Sequence, residues 1–246
     1  MHSLTSSRIL VTGGGLRVGK AISLALAEAG AELLIHYRHS SDEAEETAEM
    51  IRTRGGKADT VCGDLAREGG AEKVMRQALE EGPVHGLVNN AAVFHRTSLA
   101  ESDRQTFVDE FAPNLFGPLE LMRAFAAQAD AGSVVNLLDR RIAAHDAGAV
   151  PYQLSKVALA EATRLAALEF GPQLRVNGVA PGAILPPPGR EHERGYIEKN
   201  GGRSPLTHRC CPEDVAAAVV FLMQAPAITG QILFVDAGQH LLGNGV

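Results

Sequence analysis

Thr12-Gly13-Gly14-Gly15-Leu16-Arg17-Val18-Gly19 directly follows the apolar run Ile9-Leu10-Val11 and leads into a stretch of helical periodicity, Val18–Ala29. Glycine permits a tight turn between a strand and a helix because it has no Cβ atom. A buried strand, a glycine-rich turn and a helix in this order are typical of the first unit of a doubly wound α/β fold. The rest of the chain repeats this alternation.

Seven apolar runs bounded by glycines alternate with helical patterns. The predicted strands are Ile9–Val11, Leu33–Tyr37, Ala58–Cys62, Gly86–Asn89, Ser133–Leu138, Arg175–Val179 and Gln231–Val235. The predicted helices are Val18–Ala29, Glu43–Arg54, Gly70–Glu80, Arg104–Gln128, Pro151–Phe170 and Glu213–Gln224, with a capping box at Ser40–Glu43. The alternation predicts one α/β domain over residues 1–246, a Rossmann fold with a seven-stranded parallel doubly wound sheet and helices on both faces.

Composition excludes several classes of function. A net charge of -6 argues against general nucleic-acid binding, which requires basic surface. No apolar stretch approaches the ~18 residues that a membrane span needs. Three cysteines without metal-ligand spacing suggest neither a disulfide framework nor a metal site. The first eight residues lack the basic and apolar regions of a secretory signal, so we expect a cytoplasmic protein.

The glycine-rich turn predicts a dinucleotide site, because a helix amino end offers N–H groups and a positive dipole end to a pyrophosphate. Purely steric use of glycine in a tight turn is the alternative. The second strand ends at His36-Tyr37-Arg38-His39-Ser40, where an NAD-binding protein carries an acid for the ribose hydroxyls. Arg38 and Ser40 instead favour a 2′-phosphate, and we expect NADP(H). The alternative is an exposed basic turn.

Tyr152 and Lys156 are four residues apart in a predicted helix and therefore share one face. A nearby ammonium favours the ionised phenol, whose ordinary pKa is about 10. We expect this pair to move protons, although chance also produces such pairs. Asp139 lies thirteen residues before Tyr152.

Residues 181–212 form an irregular stretch that contains Pro186–Pro188 and Gly201–Gly202. Its length exceeds that of an ordinary connection. We expect a substrate lid; a poorly ordered insertion is the alternative.

The chain carries, in this order, the glycine-rich turn, Asp64-Leu65, Asn89-Asn90-Ala91-Ala92, Asn114, Tyr152-x-x-x-Lys156 and Pro181-Gly182. With these motifs it resembles the short-chain dehydrogenases/reductases over nearly the whole chain. The resemblance implies that Tyr152 is the proton donor, that Lys156 holds the nicotinamide ribose and lowers the tyrosine pKa, and that Asn114 relays protons through water. A core amide is the alternative for Asn114. The implied cofactor-binding residues are Gly13, Arg17, Val18, Gly19, His36, Tyr37, Arg38, His39, Ser40, Asp64, Leu65, Asn90, Ala91, Tyr152, Lys156, Pro181 and Gly182.

Three residues narrow the resemblance to the pteridine reductases: Asp139 in place of the usual serine, Arg17 in the glycine-rich turn and Phe94 after Asn90-Ala91. The resemblance implies that Phe94 stacks on a pterin, that Arg17 binds its edge, and that Asp139 and Tyr152 contact it. An aspartate can also accept and relay protons as a serine cannot. The alternatives are an Asp139 paired with Arg140 or Arg141, a core Phe94, and an Arg17 that binds phosphate only.

We therefore expect NADPH-dependent reduction of a pterin, with Tyr152, Lys156 and Asp139 protonating the ring nitrogen next to the carbon that receives the hydride. Dihydromonapterin, dihydrobiopterin and dihydrofolate remain open as substrates. A carbonyl reductase for a 3-oxoacyl thioester or a sugar is the first alternative, and a non-catalytic NADP-binding regulator is the second. The resemblance also implies a homotetramer formed by the helices Arg104–Gln128 and Pro151–Phe170.

Overall fold

Seven parallel strands form one sheet in the order β3-β2-β1-β4-β5-β6-β7 in the computed structural model, which describes residues 1–186, 192–193, 195–197 and 201–242. The strands are β1 Arg8–Thr12, β2 Glu32–Tyr37, β3 Ala58–Cys62, β4 Gly86–Asn89, β5 Gly132–Leu137, β6 Leu174–Pro181 and β7 Ile232–Val235. The α-helices are α1 Arg17–Glu28, α2 Ser41–Thr53, α3 Gly70–Ala78, α4 Arg104–Phe111, α5 Gly117–Ala126, α6 Val150–Glu169 and α7 Pro212–Gln224. The predicted Rossmann fold is confirmed.

Alternating side chains bury both faces of the sheet. In β1, Ile9 and Val11 pack into a cluster with residues of α1, α2 and α7, whereas Leu10 packs on the opposite face with residues of α3 and α5. Such burial on both sides explains why the strands are continuous apolar runs. Within the described ranges, no helix has the length and apolar character needed to cross a bilayer.

Two local predictions are wrong. The predicted helix Arg104–Gln128 is divided into α4 and α5 by a π-helical segment, Ala112–Phe116. Pro113 lies in this segment and has no N–H group for a regular helical hydrogen bond. The predicted capping box at Ser40–Glu43 is also absent, because Ser40 makes no side-chain bond at the start of α2.

The strand order reverses between β1 and β4, and ligands of open α/β sheets bind at such a point beyond the carboxyl ends of the strands. The glycine-rich turn follows β1, and Asn90 follows β4. The sheet thus brings these two loops to one crevice.

Candidate active site

The glycine-rich turn is held against the loop that follows β4. Asn90 Nδ2 donates hydrogen bonds to the carbonyl oxygens of Thr12 and Gly13 at 2.9 and 3.1 Å. Thr12 Oγ1 accepts from the backbone N–H groups of Asn90 and Ala91, both at 2.9 Å. A Cβ atom on Gly19 would lie 2.0 Å from the Gly13 oxygen, so this close approach requires glycine. The predicted Gly13, Gly19, Asn90 and Ala91 therefore form one rigid unit.

The amino end of α1 faces this crevice without a side-chain cap, because its N-cap residue is Leu16. The first N–H groups of a helix have no carbonyl partner in a preceding turn. They can receive an anion at this end of the sheet. The Arg17 side chain donates to the carbonyl oxygen of Pro186, which places it beside the start of the predicted lid.

The His36 side chain bonds to the backbone of the glycine-rich turn. Its side chain is buried, Nδ1 accepts the Gly13 N–H at 3.3 Å, and Nε2 donates to the Gly63 oxygen at 3.1 Å. Burial lowers the pKa of His36 from 6.5 to about 4, so the ring is neutral near pH 7. With both ring nitrogens engaged inside the protein, His36 positions Gly13 and does not offer a charge to a phosphate.

The turn after β2 presents Arg38 and His39 to solvent. Arg38 Nε lies 3.3 Å from Asp64 Oδ2, and Arg67 Nε lies 3.3 Å from the same oxygen. Tyr37 ends β2 and is partly buried, while Ser40 lies at the start of α2. An exposed guanidinium and an exposed imidazole therefore lie at the end of β2.

The side chain of the predicted Leu65 is buried, 6% exposed. A Cβ atom on Gly117, at the start of α5, would lie 2.8 Å from the Leu65 carbonyl oxygen. The backbone of Leu65 is therefore packed closely against α5.

Tyr152 and Asp139 meet at the carboxyl end of β5. The Tyr152 hydroxyl donates to Asp139 Oδ2 at 3.0 Å, and the ring is buried on the inner face of α6. Lys156, one turn further along the same helix, donates from Nζ to the Leu137 oxygen at 2.8 Å. Its Nζ lies 6.0 Å from the centroid of the Tyr152 ring. The helix thus brings the three predicted residues together.

The expected lowering of the tyrosine pKa is not found. Burial and the neighbouring Asp139 carboxylate raise the pKa of Tyr152 well above its ordinary value, and Arg141 only partly opposes them. Burial lowers the pKa of Lys156 from 10.5 to about 8. The phenol therefore keeps its proton near neutral pH, as a proton donor must.

Asp139 is fixed by Arg141, one of the two partners considered from the sequence. The Arg141 backbone N–H donates to Asp139 Oδ1 at 2.8 Å, and Nη1 lies 3.2 Å from Oδ2. Arg141 Nε also donates to Asp146 Oδ2 at 3.0 Å. This ion pair leaves the contact between Asp139 and Tyr152 intact. Sequence analysis missed Asp146, since only the fold of the loop brings it beside Arg141.

Phe94 forms one wall of the site. Its ring makes an edge-on contact with Tyr152, with centroids 4.7 Å apart, and the Arg141 guanidinium carbon lies 5.2 Å from its centroid. Phe94 is partly buried and belongs to this cluster, which argues against a pure core role. The wall is thus aromatic and next to the predicted proton donor.

Asn114 is fully buried in the π-helical segment. Its Oδ1 accepts the Val93 N–H at 2.9 Å, and its Nδ2 donates to the Val93 oxygen at 3.0 Å and to Glu110 Oε2 at 2.8 Å. The amide therefore has the satisfied bonds of a structural side chain, and its role in a proton relay stays a prediction. Sequence analysis missed Glu110.

Pro181 ends β6, and Gly182 follows it with its N–H bound to the Val235 oxygen at 3.0 Å. A Cβ atom on Gly182 would lie 2.8 Å from the Cα of Asp236, so the backbone passes closely here. These residues line the far side of the same edge. The predicted lid, 181–212, lies partly outside the described residues and is not tested.

Comparisons with known proteins identify the family of this chain. Residues 16–240 match the family model described as Enoyl-(Acyl carrier protein) reductase. An uncharacterised oxidoreductase of Mycobacterium tuberculosis is 36% identical over 254 residues, which cover 97% of this chain and 94% of that protein. The chain belongs to the short-chain dehydrogenase/reductase family of oxidoreductases.

Two solved structures extend the comparison. FolM alternative dihydrofolate reductase 1 from Brucella canis, complexed with NADP, has a TM-score of 0.87 and 34% identity, and the match covers 98% of this chain and 96% of that chain. The angucycline C-6 ketoreductase LanV with bound NADP has a TM-score of 0.89 and 27% identity, with 98% of each chain covered. The similar structures thus include a dihydrofolate reductase and a ketoreductase.

Proposed function

We propose that this protein is an NADPH-dependent reductase of a dihydropterin or dihydrofolate. The hydrogen bond from Tyr152 to Asp139 carries the proposal. A serine at position 139 would offer a hydroxyl to a carbonyl oxygen, whereas a carboxylate can also accept and return a proton. A pterin ring nitrogen requires such a proton when the adjacent carbon is reduced.

NADP(H) fits the crevice. The uncapped amino end of α1 and the rigid turn around Gly13 suit a pyrophosphate, and the absence of an acid at the end of β2 suits a 2′-phosphate. Arg38 and His39 are the exposed basic groups at that end. The FolM and LanV structures, both with NADP, support the same cofactor. When bound, the nicotinamide supplies the hydride.

The proton step belongs to Tyr152. Its raised pKa keeps the phenol protonated, and its hydroxyl turns from Asp139 toward a ring nitrogen of the substrate. Asp139 lies at 3.0 Å, is held by Arg141 and is 15% exposed, so it can take up a proton from water and pass it to the phenolate. Lys156, anchored on Leu137, would hold the nicotinamide ribose.

The substrate wall also favours a flat heterocycle. Stacking on Phe94 would bury the apolar faces of a pterin and contribute about 1 kcal/mol of aromatic contact beyond that burial. Arg17, beside Pro186 at the crevice, can bind both the pyrophosphate and an edge of the ring. Neither contact would stabilise an aliphatic 3-oxoacyl group to the same degree.

A carbonyl reductase is the second candidate, and the similarity to the ketoreductase LanV favours it. Oxidation of NADPH, followed with dihydrobiopterin, dihydrofolate and acetoacetyl thioester in parallel, distinguishes the two. We expect pterin or folate turnover with little reduction of the thioester. Brisk thioester reduction without pterin or folate turnover would overturn the proposal.

We also propose the tetramer that the family resemblance implies. Several apolar side chains of the two central helical regions are exposed in the single chain: Val108, Phe116, Leu119, Leu154, Val157, Leu165 and Leu168. Packing these faces across two-fold axes would remove them from water. Light scattering should give a mass of four chains, and Leu168→Glu should lower it. A wild-type monomer at micromolar concentration would contradict the tetramer.

A further inference from the structure

The segment that carries Phe94 has no strand or helix of its own. After Asn90, residues 91–98 are irregular, yet Phe94 must be held still to serve as a wall. Side chains of α4 and the π-helical segment anchor its neighbours. The backbone N–H and carbonyl oxygen of Val93 both bond to the Asn114 amide, and the His95 N–H donates to Glu110 Oε1 at 2.8 Å. Side-chain hydrogen bonds thus hold the backbone of this segment, as backbone hydrogen bonds of a neighbouring strand would do in a sheet.

Glu110 is a carboxylate, 1% exposed, on the last turn of α4. Its Oε1 accepts from the backbone N–H and from the ring Nδ1 of His95, both at 2.8 Å, and its Oε2 accepts from Asn114 at 2.8 Å. A buried carboxylate is costly unless hydrogen bonds satisfy it. All three donors belong to the Phe94 segment or to Asn114, which itself grips that segment.

We infer that Glu110 is a positioning residue for the substrate. It holds the backbone on the C-terminal side of Phe94, while Asn114 holds the N-terminal side, and together they press the ring against Tyr152. We assign Glu110 its effect through the segment that carries Phe94, with no contact to substrate or cofactor. This role rests on the proposed function, since it assumes that a planar substrate stacks on Phe94.

Amide hydrogen exchange of the ligand-free protein tests the structural half of the inference. Glu110→Gln retains the volume but offers one acceptor oxygen where the carboxylate has two. Asp109→Asn is the matched control, because it removes the same charge from an exposed neighbour on α4. Exchange of residues 93–97 should accelerate about tenfold in Glu110→Gln, because this variant loses a hydrogen bond to a charged group. Exchange in the control should stay near the wild-type rate. Equal exchange in the two variants would overturn the inference.

A double-mutant cycle tests the functional half. Glu110→Gln should raise KM for the dihydropterin about tenfold, with kcat and the KM for NADPH changed less than about twofold. In a Phe94→Ala background the same substitution should have no further effect on KM. Effects on KM that multiply, or an equal rise of KM for NADPH, would overturn the assigned role.

His95→Ala keeps the test decisive if Glu110→Gln does not fold. The His95 side chain is 64% exposed, so its removal leaves the core intact, and only the contact from the ring to Glu110 is lost. Exchange of residues 93–97 and KM should each rise about threefold, again masked by Phe94→Ala. No change in either would refute the inference. A wild-type enzyme without pterin turnover would refute the proposed function alone, because the exchange experiment needs no substrate.

Discussion

Replacement of Asp139 by serine separates the pterin mechanism from the carbonyl mechanism. The serine side chain is shorter than the carboxylate, which lies 3.0 Å from the Tyr152 hydroxyl, and its hydroxyl does not take up an additional proton and release it again. General acid–base groups contribute roughly 10²- to 10⁴-fold to rate. Because Tyr152 remains, we expect the lower end: a fall of about 10²-fold in pterin kcat/KM, or about 2.7 kcal/mol.

Two controls isolate the proton effect. Asp139→Asn preserves shape but not proton transfer, so it should lose as much pterin activity as Asp139→Ser. Asp146→Asn disturbs the other partner of Arg141 without touching Tyr152 and should cost less than about fivefold. Since Asp139 raises the pKa of Tyr152, both Asp139 variants should also move the alkaline limb of the rate profile to lower pH. Pterin kcat/KM within twofold of wild type in Asp139→Ser would refute the reasoning.

Three further predictions concern Arg38 in the turn after β2, the buried His36 and the buried Lys156. Arg38→Ala should weaken NADPH binding about 10- to 100-fold and NADH binding little, whereas Arg67→Ala, which also pairs with Asp64, should spare both; equal losses for the two cofactors in a fluorescence titration would contradict this. Burial of His36 predicts that stability falls as pH drops from 6.5 towards about 4, by up to about 3 kcal/mol, and His36→Gln should flatten that part of the urea-unfolding profile. Lys156, with a pKa of about 8 in the folded protein against 10.5, makes the ligand-free protein less stable below pH 8 than above pH 10.5. Lys156→Met should therefore abolish turnover and raise the free energy of unfolding at pH 7 by about 2 kcal/mol. Removal of the buried charge stabilises the folded protein by ~3 kcal/mol, and loss of the hydrogen bond to Leu137 offsets about 1 kcal/mol of this. A variant less stable than the wild type would contradict this account.

Sequence alone predicts that most of the candidate site residues lie close together, because of how parallel strands are arranged. The carboxyl ends of β1, β4, β5 and β6 lie at one edge, so residues that follow those strands meet there. Tyr152 and Lys156 were predictable for a similar reason, since helical spacing puts them on one face. Periodicity carries this information directly.

The remaining features depend on tertiary contacts that periodicity does not carry. Histidine is a residue type that can bind phosphate, but the position of His36 in β2 buries its side chain. Both ring nitrogens are hydrogen-bonded there, to the backbone of Gly13 and of Gly63. Glu110 is buried in the last turn of α4, directly before the π-helical segment, and the sequence does not predict that segment. The pKa of Tyr152 follows from Asp139 and burial, because Lys156 points its ammonium at Leu137.

Transfer of deuterium from NADPH labelled at the nicotinamide C4 tests the central claim most directly. The product of dihydrobiopterin is analysed by mass spectrometry after incubation with the wild-type protein. The account predicts a tetrahydropterin heavier by one deuterium on a ring carbon, with about 10²-fold less of this labelled product when Asp139→Asn replaces the wild type over the same short incubation. An unlabelled pterin, together with a deuterated hydroxyacyl product from acetoacetyl thioester, would contradict it.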